Sequence, residues 1–114
     1  MRIDTFEQAR LAIVPFVYKM RIENTCPFGF ETETDFYLPP WIEGWGHDAE
    51  GTPGFRVHKD TGLVEKVTIR QYDEWATNVV LDPNTIEVGD ISQDYDREIR
   101  NQAIAEQRQL ATQA

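Results

Sequence analysis

The sequence is poor in the residues that would make its chemistry easy to read. A single cysteine, Cys26, rules out an intrachain disulfide and with it the stapled scaffolds of small secreted chains. A reducing, cytoplasmic setting is the expectation that follows. Long apolar runs are missing too: Asp4, Glu7 and Arg10 interrupt the N-terminal stretch before it reaches signal-peptide length, and nothing approaches the roughly 18 apolar residues of a membrane span. No basic cluster offsets the 20 Asp and Glu, which outnumber 11 Lys and Arg and leave a formal charge of −9. Nucleic-acid affinity rests on several Lys or Arg contacts to phosphate, so direct binding to a phosphate backbone is not expected. A basic protein would instead be drawn in by the same field.

The usual signatures of catalysis are also absent. There is no Gly-rich phosphate loop, no Ser nucleophile elbow and no HExxH pattern. Zinc wants three or four His, Cys or carboxylate ligands, and two histidines with one distant cysteine give no ligand spacing. No metal and no cofactor is therefore expected. His47, Asp48 and Glu50 sit close together in sequence and His58 lies one position out of phase with Val57, so a small enzyme centred on His47 is the catalytic alternative. A Cys26, His47, Asp48 nucleophilic set can be written down, but nothing in the spacing brings the three together.

What is present is ample apolar material, 40% of the chain with three Trp, four Tyr and six Phe, enough for one core in 114 residues. Phe55 to Ile69 reads as two strands folded on Asp60-Thr61-Gly62, where Gly62 supplies positive φ. Phe55 and Val57 share a face of the first strand, and Leu63, Val67 and Ile69 are expected on one face of the second. Asp4 and Thr5 are N-cap residues with Glu7 and Gln8 three positions on, and Phe6, Ala9, Ile13, Phe16, Val17 and Met20 recur at helical spacing. Because that stripe keeps its register across Pro15, a kinked helix is expected rather than one stopping near Ile13.

Residues 28–38 alternate strictly, with Phe28, Phe30, Thr32, Thr34 and Phe36 on one side and Glu31, Glu33 and Asp35 on the other, as in a half-buried strand with an acidic outer face. Pro39-Pro40 ends it. The Trp-rich stretch from Trp41 to Gly54 then exceeds the usual connection between strands, and it carries Glu43, Trp45, His47, Asp48 and Glu50. Trp dominates interface hot spots, so Trp41 and Trp45, with Glu31, Glu33, Asp35 and the polar groups of the loop, form the expected partner-binding set. Tyr72, Trp75, Ala76 and Val79 predict a short helix closed by Asp82-Pro83, and 86–91 a further short strand. From Ser92, acids early and Arg97, Arg100 and Arg108 later suit a helix to about Leu110, with a thin stripe of Tyr95, Ile99, Ala103 and Leu110. Partial docking is expected, with disorder beyond residue 106.

These elements predict an α+β fold: an N-terminal helix on a three- to four-stranded antiparallel sheet, a short helix after the hairpin and a C-terminal helix. Residues 1–91 form one domain and 92–114 a helical extension. The order of helix, aromatic strand, hairpin with Val57, Asp60, Thr61, Gly62 and Val64, then Tyr72 and Trp75 resembles small bacterial toxin-immunity domains over residues 5–80. The resemblance implies a stoichiometric inhibitor that covers a toxin and does no chemistry of its own. Pro15, the Trp-rich loop and the C-terminal helix depart from it. The expected function is an acidic, non-enzymatic protein-binding module. The other non-catalytic reading is an assembly subunit, of a phage or a multi-component complex, that forms a homo-oligomer through residues 92–110.

Overall fold

The computed structural model describes residues 2–16, 21–39, 41, 54–67, 79, 82, 84–94 and 97–113. It is an α+β fold. Helix α1 (Phe6–Ile13) is followed by strands β1 (Phe28–Glu31), β2 (Asp35–Leu38), β3 (Gly54–His58), β4 (Val64–Val67) and β5 (Ile86–Gly89), then helix α2 (Arg97–Gln113). Among the described residues the strands form one antiparallel sheet in the order β4-β3-β2-β1-β5, which exceeds the three or four expected.

Helix α1 starts where the capping signal points. The Gln8 N–H donates to Thr5 Oγ1 at 3.2 Å and the Thr5 N–H donates to Gln8 Oε1 at 3.2 Å, so two otherwise orphaned donors are satisfied reciprocally. The helix does not run on through Pro15. It closes at Ile13, the Val14 N–H donating three residues back to Leu11, and Val14–Phe16 form a 3-10 turn. Pro15 has no N–H for a helical bond and its ring opposes the carbonyl of Leu11, so tightening the last turn costs less than a kink. The expected continuation to Met20 falls outside the described residues.

The larger correction concerns residues 28–38. They are two strands of a tight hairpin, with Phe30 opposite Tyr37 and Glu31 opposite Phe36. Thr32 makes the reversal: its Oγ1 accepts from the Thr34 N–H at 3.3 Å and the Asp35 N–H at 3.1 Å, and its own N–H donates to the Asp35 carbonyl at 2.9 Å. A hydroxyl-built turn of this kind needs neither Gly nor Pro. The β3–β4 hairpin forms as expected, with Gly62 at φ 74°. Its second strand is one residue out of the expected register: Val64 lies opposite Val57, while Leu63 is 57% exposed. Ile69 lies outside the described residues.

One sheet face carries Phe36, Leu38, Phe55 and Val57, packed with Ile3, Phe6, Ala9 and Ile13 of the N-terminal segment and α1. Burying each such side chain is worth about 1.5–3 kcal/mol, so this layer supplies most of the drive to fold. Helix α1 comes close because two glycines lie beneath it: a Cβ on Gly29 or Gly89 would stand 2.8 Å or 2.6 Å from the Phe6 ring. Arg10 ties the helix to the turn before β1, its Nε donating to Thr25 Oγ1 at 2.9 Å and its Nη2 to the Ile22 carbonyl at 3.0 Å. The opposite face holds a smaller cluster of Phe30, Tyr37 and Val79. The short helix expected over 70–81 lies outside the described residues except at Val79, which is helical and buried.

The short strand expected at 86–91 is β5, and Gly89 turns out of it at φ 81°. Asp90, rather than Ser92, then caps a 3-10 turn over Ile91–Gln93, and α2 begins five residues after Ser92. The Ser92 hydroxyl and Gln93 amide donate to Asp90 and hold its carboxyl below the usual range. Helix α2 continues to Gln113, beyond the limit expected at residue 106. The thin stripe does not face the sheet, and its Tyr95 lies outside the described residues. Ile99 is 70% and Leu110 66% exposed, while Asn101, Ile104, Ala105 and Arg108 line a cavity against Phe30, Thr85 and Glu87 of the sheet.

Candidate functional site

The two hairpin turns lie at one end of the sheet. The Lys59 N–H donates to the Thr34 carbonyl at 2.9 Å, which binds the β3–β4 turn to the β1–β2 turn, and the Ile3 N–H donates to the Lys59 carbonyl at 2.7 Å, which brings the N-terminal segment to the same place. Asp4, Glu31, Glu33 and Asp60 gather there against Arg2 and Lys59, four carboxylates to two cations.

Both cations are already engaged. Arg2 Nε lies 2.7 Å from Asp4 and its Nη1 3.0 Å from Asp60, while Lys59 Nζ lies 2.6 Å from Glu31 and 4.9 Å above the Phe36 ring. Elsewhere Arg10 pairs with Glu7, Arg56 with Asp35 and Arg97 with Glu87. The exposed pairs of Arg2 contribute little stability, but every pair cancels a cation locally, and the acids remain in surplus. Glu33, at the tip of its turn, is exposed.

The predicted partner-binding residues do not form one surface. Glu31, Glu33 and Asp35 were expected on one outer face of a single strand, and the hairpin separates them. Glu31 is half-buried opposite Phe36 on the α1 face; Asp35 lies opposite His58 on the other face and is only 2% exposed. Asp35 is thus withdrawn from any direct partner contact. Trp41 sits past the far end of β2, with that strand between it and Glu33. It is half-buried and packs edge-on against Phe28, ring centroids 5.7 Å apart. Glu43, Trp45, His47, Asp48 and Glu50 lie outside the described residues.

Sequence reasoning missed a polar ladder across β2, β3 and β4. Thr34 Oγ1 donates to Asp35 Oδ2 at 2.6 Å, Arg56 Nη2 approaches the same oxygen at 3.4 Å, and His58 stands between two carboxylates, its Nδ1 2.8 Å from Asp35 and its Nε2 2.7 Å from Glu65. The signal lay in the spacing of Asp35 and His58 about two turns, legible only once 28–38 is read as a hairpin. The two carboxylates approach opposite edges of the ring and cannot converge on one ion; among the described residues no group of three or more His, Cys, Asp or Glu is placed to hold a metal. Cys26 is 2% exposed, and burial pushes its thiol well above the ordinary range, which keeps it protonated and a poor nucleophile. Among the described residues no helix is long and apolar enough to cross a membrane. Comparison of the chain with protein-family models, with curated proteins and with solved structures finds no match.

Proposed function

We propose that the chain is a non-enzymatic acidic binding module that docks on a basic protein, as an immunity-type inhibitor covering a toxin would. The observation that carries this reading is the turn end of the sheet, where Arg2 is shared by the exposed Asp4 and Asp60 and Lys59 is held by Glu31, so that four carboxylates face two cations and Glu33 stands exposed beside them. A surface whose cations are internally matched attracts a partner of opposite charge and repels phosphate. The hairpins and the N-terminal segment hold these acids on ordered backbone, so docking requires little reordering.

The test is capture on immobilised protein at low and high salt, with identification of what is retained. A basic protein held at low salt, released at high salt and lost with the Glu33→Lys, Asp60→Lys double variant supports the reading. A partner held equally by both proteins contradicts it. Trp41→Ala tests whether the far end of β2 contributes; its half-buried packing on Phe28 makes a modest effect on capture the expected result.

A second reading rests on α2. Ile99, Ala103 and Leu110 recur at helical spacing on the side facing away from the cavity-lining residues, which leaves an apolar stripe without cover among the described residues. An assembly subunit would pair through it. Sedimentation of the full chain against an Ile99→Glu, Leu110→Glu variant decides: a fall in mass supports pairing, and an unchanged mass removes it.

A further inference from the structure

We infer that the cavity between α2 and the β1–β5 side of the sheet is a binding site for a small organic acid with a flat apolar body, a property that stands apart from docking at the acidic end. The cavity has a volume of about 300 Å³, at the lower end of the roughly 300–1,000 Å³ that hold small molecules. Packed elements leave few voids larger than a water molecule, so a gap of this size between helix and sheet is not ordinary packing. The rotation of α2 points the same way. Asn101, Ile104, Ala105 and Arg108 follow one another at helical spacing on the side toward the sheet, while Ile99 and Leu110 are exposed on the side away from it. Had apolar burial alone set that rotation, the side with two large aliphatics rather than the side with one would meet Phe30.

Phe30, Ile104 and Ala105 give the cavity apolar walls, and the polar groups among them are weighted to donors. Arg108 and Asn101 bring guanidinium and amide N–H groups, and the buried Thr85 Oγ1 has no hydrogen-bond partner among the described residues. One staggered step about χ1 exchanges the threonine hydroxyl with its methyl, and a bound acceptor is what such a hydroxyl lacks. Glu87, opposite Phe30 in the β1–β5 pair, is the carboxylate of the lining, and its Oε2 accepts from Arg97 Nε at 2.6 Å. With that charge matched, a ligand carboxylate meets the donors without an opposing unpaired acid in the lining. A guanidinium has five N–H donors, so Arg108 can hold a carboxylate alongside another contact. The field of a chain carrying −9 opposes any anion at long range, which makes weak binding the expectation.

The probe is phenylacetate, with phenylacetamide as its neutral isostere, titrated into the full chain and followed by amide NMR. The expected result is saturable shifts at Phe30, Thr85, Glu87, Asn101 and Ile104, with a dissociation constant of about 1 mM for phenylacetate and binding of phenylacetamide weaker by about fivefold or more. In Arg108→Gln the affinity for phenylacetate should fall by about fivefold or more while that for phenylacetamide is unchanged. Ala105→Phe, which fills the cavity from an exposed position, should remove binding of both. Absence of saturation by about 10 mM, shifts centred elsewhere in the fold, equal affinity for acid and amide, or the same response of both probes to Arg108→Gln would each overturn the inference.

Discussion

The close approach of helix α1 to the sheet depends on two residues with no side chain. Phe6 lies over Gly29 and Gly89, and a methyl at either site meets its ring and a backbone carbonyl that cannot move aside, Tyr37 O for Gly29 and Pro27 O for Gly89. Gly29→Ala is expected to destabilise the fold by about 1–3 kcal/mol, the usual cost of overpacking, in chemical denaturation. Gly89→Ala should cost more, because its φ of 81° adds backbone strain. Cys26 sets a pH limit of its own. Burial raises its folded pKa above the unfolded value near 8.5, so its contribution is undiminished below that pH and is lost progressively as pH rises toward the folded value. Native protein at pH 7 should leave a thiol reagent unreacted until denaturant is added; rapid labelling without denaturant would show that the thiol is accessible.

At the scale of elements, the sequence was most legible where one local interaction decides the structure. Thr5 and Gln8 form the capping box that their spacing announces, and Thr5→Ala should cost about 1 kcal/mol in thermal or chemical unfolding. Asp60-Thr61-Gly62 turns because glycine there takes positive φ. The reversal at Thr32 was hidden because alternation of polar and apolar residues continues through a turn made by a hydroxyl, and the pairing of Asp35 opposite His58 was hidden with it. In α2 the apolar residues are few enough that three on one side outweigh Ile104 on the other, although Ile104 is the one that lines the cavity against the sheet. Ile104→Ala should therefore lower amide protection along α2 by clearly more than Ile99→Ala does in monomeric protein. Equal effects would mean that α2 is held by something other than its cavity-facing side, such as the Arg97–Glu87 pair.

Across the whole molecule, an antiparallel α+β sheet separates two ends of different character. The turn end concentrates Asp4, Glu33 and Asp60, while Trp41, at the other, is partly committed to the core through Phe28. The net charge of −9 was plain from composition, but its placement was not, because it depends on which cations the fold consumes internally. Arg2 and Lys59, distant in sequence from Asp60 and Glu31, reach them through the pairing of the N-terminal segment with the β3–β4 turn and of that turn with the β1–β2 turn. Electrostatic docking acts chiefly on the encounter rate and weakens as the screening length shrinks from about 10 Å at 0.1 M salt to about 3 Å at 1 M. The most direct measurement is the association rate of the captured basic partner as a function of ionic strength, for the native chain and for Glu33→Lys, Asp60→Lys. The native rate should fall steeply with salt and the variant's should be slower and nearly flat, whereas parallel slopes for the two proteins would contradict docking at this acidic end.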